Sequence, residues 1–276
     1  MAEGAGYPAK FLFIRYNLIF SLYSAESAKE IKRCGMQLIF NHILGRLFRL
    51  FPKHRSISIM DMTARFFVPV NCHYVTEDLR AIEGGRREPA LYQWLNNLDD
   101  NAVLFDVGTS YGQEAALSSS FADRGVKVIG FDCNLYHSHF CSLNRALNEN
   151  RFRFIFAAVG AASGEMVTIT TNSDTHISHL HKKNVPYSYE VIMLALDDFA
   201  AAETLYPTHM KIDVDGAETE VLKGAASILS NPSLKQVFIE IDNENLAIID
   251  QMTSYGFEVK WSVKKPFNQD VLFTRG

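Results

Sequence analysis

The chain has 276 residues, of which 47% are hydrophobic and 21% charged, and a net charge of −4. This is the composition of a soluble globular protein, long enough for one full α/β domain with an appended segment or for two small domains. The negative balance excludes broad charge-driven binding to nucleic acid.

Charge is unevenly spread. Residues 1–60 hold nine Lys/Arg and three Asp/Glu, a balance of +6, and the remainder holds 18 and 28, a balance of −10. The plain reading of the basic end is a solvated helix face; a membrane surface or an acidic partner is the functional alternative. Residues 11–23 are largely apolar but contain Arg15 and Asn17, so they are too short and too polar to span a membrane. No basic region followed by an uninterrupted apolar core opens the chain, so no signal peptide is expected. Residues 36–51 are apolar on one face, with Arg46 and Arg49 at helical spacing and Pro52 as the stop. Such a helix docks on a domain, sits in a homo-oligomer interface, or lies on a membrane surface. Docking is the favoured reading. Residues 1–75 are therefore expected to form a basic, mainly helical extension, and residues 76–276 the main domain.

From residue 88 the pattern becomes regular. Residues 88–98 predict a short helix with Pro89 in its first turn, followed by a turn at Asp99-Asp100-Asn101. Residues 102–107 (AVLFDV) read as a buried parallel strand. A helix at 113–123, a strand at 127–132, a helix at 136–148 and a strand at 152–159 follow. Short strands at 166–170 and 191–196 flank a polar stretch. A strand at 209–214, a helix at 216–229, a strand at 236–242, a helix at 245–254 and strands at 257–263 and 270–274 complete the chain. This alternation predicts a mostly parallel sheet with helices on both faces. Cys34, Cys72, Cys133 and Cys141 form no CxxC pair and no zinc spacing, and read as reduced thiols of a cytoplasmic protein.

Two features carry chemistry. Asp106-Val107-Gly108-Thr109-Ser110-Tyr111-Gly112 lies between the first of these strands and its helix, where ligands of doubly wound sheets bind. Gly108 and Gly112 would let the backbone pass close to a ligand. Their GxxxG spacing disfavours the pyrophosphate fingerprint, GxGxxG. Asp132 ends the second strand, where a carboxylate can accept hydrogen bonds from both hydroxyls of a ribose. Together they point to an adenosine-containing ligand without a pyrophosphate.

The turn resembles the first motif of class I methyltransferases. Ala157-Ala158-Val159-Gly160, Leu196-Asp197-Asp198-Phe199, and Lys211-Ile212-Asp213-Val214-Asp215-Gly216-Ala217-Glu218 continuing to Val221-Leu222-Lys223-Gly224-Ala225 resemble the FkbM-type family. The likeness covers residues 90–276. It departs at Asp132-Cys133-Asn134, where the family usually has Glu followed by Pro, and at Asp215, where Glu is common. The resemblance implies a Rossmann-like α/β fold with a seven-stranded sheet, S-adenosylmethionine as cofactor, and methylation of a hydroxyl on a sugar, glycan or small metabolite; methylation of an amine or a protein side chain, or a non-catalytic module that keeps the fold, is the alternative. By motif, Asp106, Gly108, Ser110, Tyr111 and Gly112 would surround the methionine half of the cofactor. Asp132, with Cys133 and Asn134, would hold the ribose, and Ala157 and Ala158 would lie against the adenine. Asp213 would face the sulfonium and the acceptor.

A hydroxyl is a weak nucleophile, so a general base is expected. Asp213 is one candidate. The other is His179, from a loop at 171–189 that also holds His176 and His181; a solvated lid without a chemical role is the plain alternative. Asp213, Asp215, Glu218, Glu240 and Asp242 could offer oxygen ligands to Mg²⁺, but none is assigned to a metal. Lys211 reads as a structural residue whose stem packs along the sheet.

Overall fold

The computed structural model describes residues 54–68, 73–171, 178–180 and 187–276. The helix expected at 36–51 lies outside these residues. The end of the same extension is a hairpin, an element the sequence reading did not place there. β1 (His54–Ile59) and β2 (Met62–Phe67) pair antiparallel, with Ile59 opposite Met62. Ile57, Ile59, Met62, Ala64 and Phe66 are buried at alternate positions, the period of a strand lying on a core. The hairpin groups with the main domain, in a unit spanning residues 53–276.

α1 (His73–Glu83) and α2 (Pro89–Asn96) follow. α2 has Pro89 in its first turn, as expected, and buries Leu91, Tyr92, Trp94 and Leu95. Next come β3 (Val103–Val107), α3 (Gln113–Ser118) with a 3₁₀ turn (Ser119–Arg124), β4 (Lys127–Asp132), α4 (Leu135–Leu147) and β5 (Phe152–Phe156). β6 (Ala158–Val159), β7 (Met166–Thr171), β8 (Ser178–Leu180) and β9 (Tyr187–Leu194) make a separate sheet in the order β6-β9-β7-β8. The strand expected at 152–159 is thus split at Ala157, and its last two residues pair elsewhere. α5 (Leu196–Glu203), β10 (His209–Ile212), α6 (Glu218–Lys223), α7 (Ala226–Ser230), β11 (Gln236–Asp242), α8 (Ala247–Ser254), β12 (Glu258–Lys264) and β13 (Asn268–Thr274) complete the chain.

The main sheet has seven strands in the order β12-β13-β11-β10-β3-β4-β5. β11, β10, β3, β4 and β5 are parallel, and β13 runs against both its neighbours. This is the mostly parallel α/β sheet expected. Alternate strand residues feed two cores. Leu104, Val128, Phe238 and Leu272 join the hairpin, α2 and α3 on one face. Phe105, Val107, Ile129, Phe131, Met210, Ile212 and Ile239 join α5, α6, α7 and α8 on the other. Each fully buried side chain of this size contributes about 1.5–3 kcal/mol. No helix among the described residues is long and apolar enough to cross a membrane.

Three of the strings that marked the resemblance lock together. The helix expected at 216–229 breaks at Gly224. A Cβ on Gly224 would lie 2.0 Å from the carbonyl oxygen of Gly160, so only glycine allows this approach. The Gly224 carbonyl accepts the Asp197 N–H at 2.9 Å. Asp197 in turn accepts the N–H groups of Ser227 and Ile228 at 2.8 and 2.9 Å, capping α7. These residues hold the accessory sheet and α5 against α6 and α7.

Candidate active site

The carboxyl ends of β10, β3, β4 and β5 lie side by side. β3 sits at the reversal point: the chain continues to β4 and β5 on one side and returns to β10 on the other. Doubly wound sheets bind their ligands at such a point. Apart from His179, the residues singled out in the sequence sit on or just beyond these four strand ends.

The turn after β3 is heavily constrained. Asp106 is fully buried and accepts the Thr109 hydroxyl at 2.6 Å. The N–H groups of Gly108 and Thr109 both donate to the Phe131 carbonyl, at 2.9 and 3.0 Å. The Ser110 N–H donates to Asp132 Oδ2 at 2.7 Å, and the Gly112 N–H closes the turn on the Thr109 carbonyl at 2.7 Å. Ser110 and Gly112 have φ of 51° and 76°. The glycines make room for protein. A Cβ on Gly108 would lie 1.7 Å from the Asp213 carbonyl oxygen, and one on Gly112 would lie 2.9 Å from Cys141 Sγ. The Tyr111 ring, 1% exposed, turns inward against His137 with centroids 4.6 Å apart. Tyr111 therefore offers the site its backbone.

Asp132 holds the Ser110 N–H on one oxygen and the Asn134 N–H on the other, the latter at 2.7 Å. Each carboxylate oxygen has two lone pairs, so both can accept a further donor. Burial pushes Asp132 up to about 6, against the two backbone N–H groups that favour its charge. The Asn134 side chain is committed elsewhere: it caps α4, accepting the Tyr136 and His137 N–H groups at 3.0 Å each. The Cys133 carbonyl accepts the Tyr189 hydroxyl at 2.9 Å, and that hydroxyl receives the Leu135 N–H at 2.9 Å. Burial pushes the Cys133 thiol up to about 12, which keeps it protonated. Ala157 and Ala158 are buried beyond the end of β5, with the Ala157 N–H on the Asp132 carbonyl at 3.1 Å.

Asp213 follows β10 and is partly exposed. Beneath it lies Lys211, 1% exposed. Its Nζ is 3.3 Å from Asp106 Oδ1, 3.3 Å from Asp213 Oδ2 and 3.2 Å from the Gly108 carbonyl oxygen. Burial opposes the charge on Lys211, but Asp213, Asp106 and Glu114 outweigh it and hold the amine above the usual lysine range. The stem packs along the sheet as the sequence suggested, while the ammonium joins the glycine turn to the tip of β10. Loss of hydration, then repulsion from Asp213 and Glu218, pushes Asp215 up to about 6.

Glu88, Glu240 and Asp270 are the one group of acids among the described residues spaced to share a metal ion. A lysine ammonium lies among them: Lys265 Nζ is 2.7, 2.5 and 2.7 Å from the three carboxylates. His179 pairs with Thr170 across β8 and β7. Its side chain, together with His176 and His181, lies outside the described residues. The loop is therefore not brought to Asp213 by anything described.

The sequence reading missed the Lys211 ammonium, the Lys265 clamp, and the buried bond from the Tyr92 hydroxyl to Glu114 at 2.5 Å. One signal was present for Lys211. A lysine inside an apolar strand is fully buried only when paired, and Asp106 occupies the matching position of the neighbouring strand.

Residues 106–259, more than half of the chain, match the family model described as the methyltransferase FkbM domain. No curated protein matches the chain. Among solved structures, M. capricolum TrmK in complex with S-adenosyl-homocysteine aligns at 10% identity and a TM-score of 0.42, over 68% of this chain and 68% of its own. The precorrin-6y methyltransferase of Geobacter metallireducens aligns at 11% and 0.45, over 69% of this chain and 89% of its own. A methyltransferase from Pyrococcus furiosus aligns at 13% and 0.40, over 68% and 82%. The family assignment rests on the sequence match alone.

Proposed function

The chain belongs to the FkbM family of S-adenosylmethionine-dependent methyltransferases, and we propose that it methylates a hydroxyl oxygen on a sugar, glycan or small metabolite. The observation that carries this reading is the placement of the glycine turn and two carboxylates, Asp132 and Asp213, at the ends of the adjacent strands β10, β3 and β4.

The residues present suit the cofactor. Asp132 retains an acceptor position on each oxygen, as two ribose hydroxyls require. The backbone of Asp106, Gly108, Ser110, Tyr111 and Gly112 would hold the methionine half. Cys133 and Asn134 would fix the Asp132 segment, and Ala157 and Ala158 would present a small apolar surface to the adenine. When bound, the cofactor supplies a methyl group on a sulfonium, which is already a good leaving group. The protein must align the acceptor and exclude water, which supplies about 7–11 kcal/mol at best. Asp213 would accept or orient the hydroxyl proton, with His179 from the accessory sheet as the second candidate. A base adds about 10²–10⁴-fold. Lys211 Nζ, 3.3 Å from Asp213 Oδ2, would hold that carboxylate in place from beneath.

The test is incubation with S-adenosylmethionine and a panel of methyl glycosides and oligosaccharides, reading S-adenosylhomocysteine release and the product by NMR. The expected product carries a methyl ether. A methylated amine, or methyl transfer to protein with no ether formed, would overturn the hydroxyl assignment.

A further inference from the structure

The turn at Thr109–Gly112 places Ser110 and Gly112 in the left-handed region. A strained turn persists only when its surroundings over-determine it. Among the bonds that do so here are four, one from each residue. The Thr109 hydroxyl is held by Asp106, the Ser110 N–H by Asp132 and the Gly112 N–H by the Thr109 carbonyl. The fourth comes from outside the motif: Asn144 Nδ2 on α4 donates to the Tyr111 carbonyl at 2.8 Å. The peptide between Tyr111 and Gly112 is thus fixed at both its carbonyl and its N–H.

The other end of the Asn144 amide is also engaged. Its Oδ1 accepts the Phe67 N–H of β2 at 2.7 Å. An N–H must meet the oxygen and a carbonyl must meet the NH₂, so the two partners allow only one orientation of the amide. One turn on, at the residue that caps the end of α4, Asn148 repeats the contact with the hairpin. Its Oδ1 accepts the Arg65 N–H at 2.9 Å and its Nδ2 donates to the Arg65 carbonyl at 2.7 Å. The two asparagines act as a surrogate strand along the free edge of β2. Asn144 alone continues to the turn. It is 1% exposed, so no water substitutes for either bond.

We infer that Asn144 is a positioning residue for the cofactor turn, and that the β1–β2 hairpin, which precedes the family-matched residues, contributes to cofactor affinity through it. This rests on the assignment of residues 108–112 to the cofactor.

Asn144→Asp and Asn148→Asp form a matched pair. Each keeps the oxygen that meets the hairpin N–H and loses the NH₂ donor, but only residue 144 faces the turn. Calorimetry with S-adenosylhomocysteine is expected to show about tenfold weaker binding for Asn144→Asp, the scale of one buried hydrogen bond, and less than about twofold change for Asn148→Asp. Equal shifts in both variants, or none in either, would overturn the inference. Failure of the wild-type protein to bind would instead overturn the cofactor assignment.

Hydrogen exchange in the wild-type protein decides the question even if neither variant folds. Coupling is reciprocal, so S-adenosylhomocysteine should slow exchange in the peptide containing Phe67. Binding without that protection would refute the link.

Discussion

The Lys211 ammonium lies 3.3 Å from the Asp106 carboxylate, with both side chains withdrawn from water. Replacing one partner strands the other. Lys211→Met should cost about 3–5 kcal/mol in urea denaturation, because a buried charge loses its compensation. Asp106→Asn combined with Lys211→Met should recover part of that loss. A double variant no more stable than Lys211→Met alone would show that the pair is not the source of the cost.

Asp132 should make cofactor affinity pH-dependent. Its pKa is raised from 3.8 to about 6, chiefly by burial. The ribose needs the ionised form, so affinity for S-adenosylhomocysteine should weaken as pH falls through 6, by about tenfold between pH 8 and 5. Folding responds in the opposite direction. A raised carboxylate pKa gives a contribution to stability that is full below 3.8 and is lost as pH rises through 6. Affinity that is constant from pH 5 to 8 would remove Asp132 from the ribose.

Gly108→Ala should destabilise the fold itself. The added Cβ would sit 1.7 Å from the Asp213 carbonyl oxygen, at a φ of 78°. Backbone strain and overpacking together should cost more than about 3 kcal/mol, read by chemical denaturation without ligand. Gly164→Ala shares a positive φ but has open space around it, and should lose only the cost of that φ, about 1–2 kcal/mol. Similar losses in both variants would refute the close approach of β3 and β10.

Lys265→Ala should lower the melting temperature, because Glu88, Glu240 and Asp270 are left facing one another within 4.8 Å. Millimolar Ca²⁺ should restore part of the loss, and a chelator should reverse the restoration. A variant that melts like the wild-type protein, or that ignores Ca²⁺, would contradict this account of the clamp.

Much of the fold was legible because parallel strands buried on both faces read as apolar runs. AVLFDV, KVIGFD and QVFIEID were placed within one residue of β3, β4 and β11. Two boundaries misled for identifiable reasons. Residues 216–229 keep helical periodicity across Gly224, and the break is imposed by Gly160, which is distant in sequence. The β1–β2 hairpin turns at Met60-Asp61 with Met60 at φ 52°, and lacks the Asn-Gly or Asp-Gly pair that marks such turns. In the candidate site, the singled-out residues lie at strand ends because motif and strand coincide. Asn144, Lys265 and Tyr189 act through contacts far apart in sequence, which no local pattern encodes. The three singled-out glycines (108, 112 and 224) were visible, but that each makes way for protein could be learned only from the packing.

Titrating S-adenosylhomocysteine into the wild-type protein and into Asp132→Ala, by calorimetry at pH 8, puts the pocket itself to the test. The wild-type protein should bind at a single site, and the variant should bind at least tenfold more weakly, the scale of a lost charge-assisted hydrogen bond. No heat from the wild-type protein, or equal affinity in the variant, would mean that the cofactor is not held between β3 and β4.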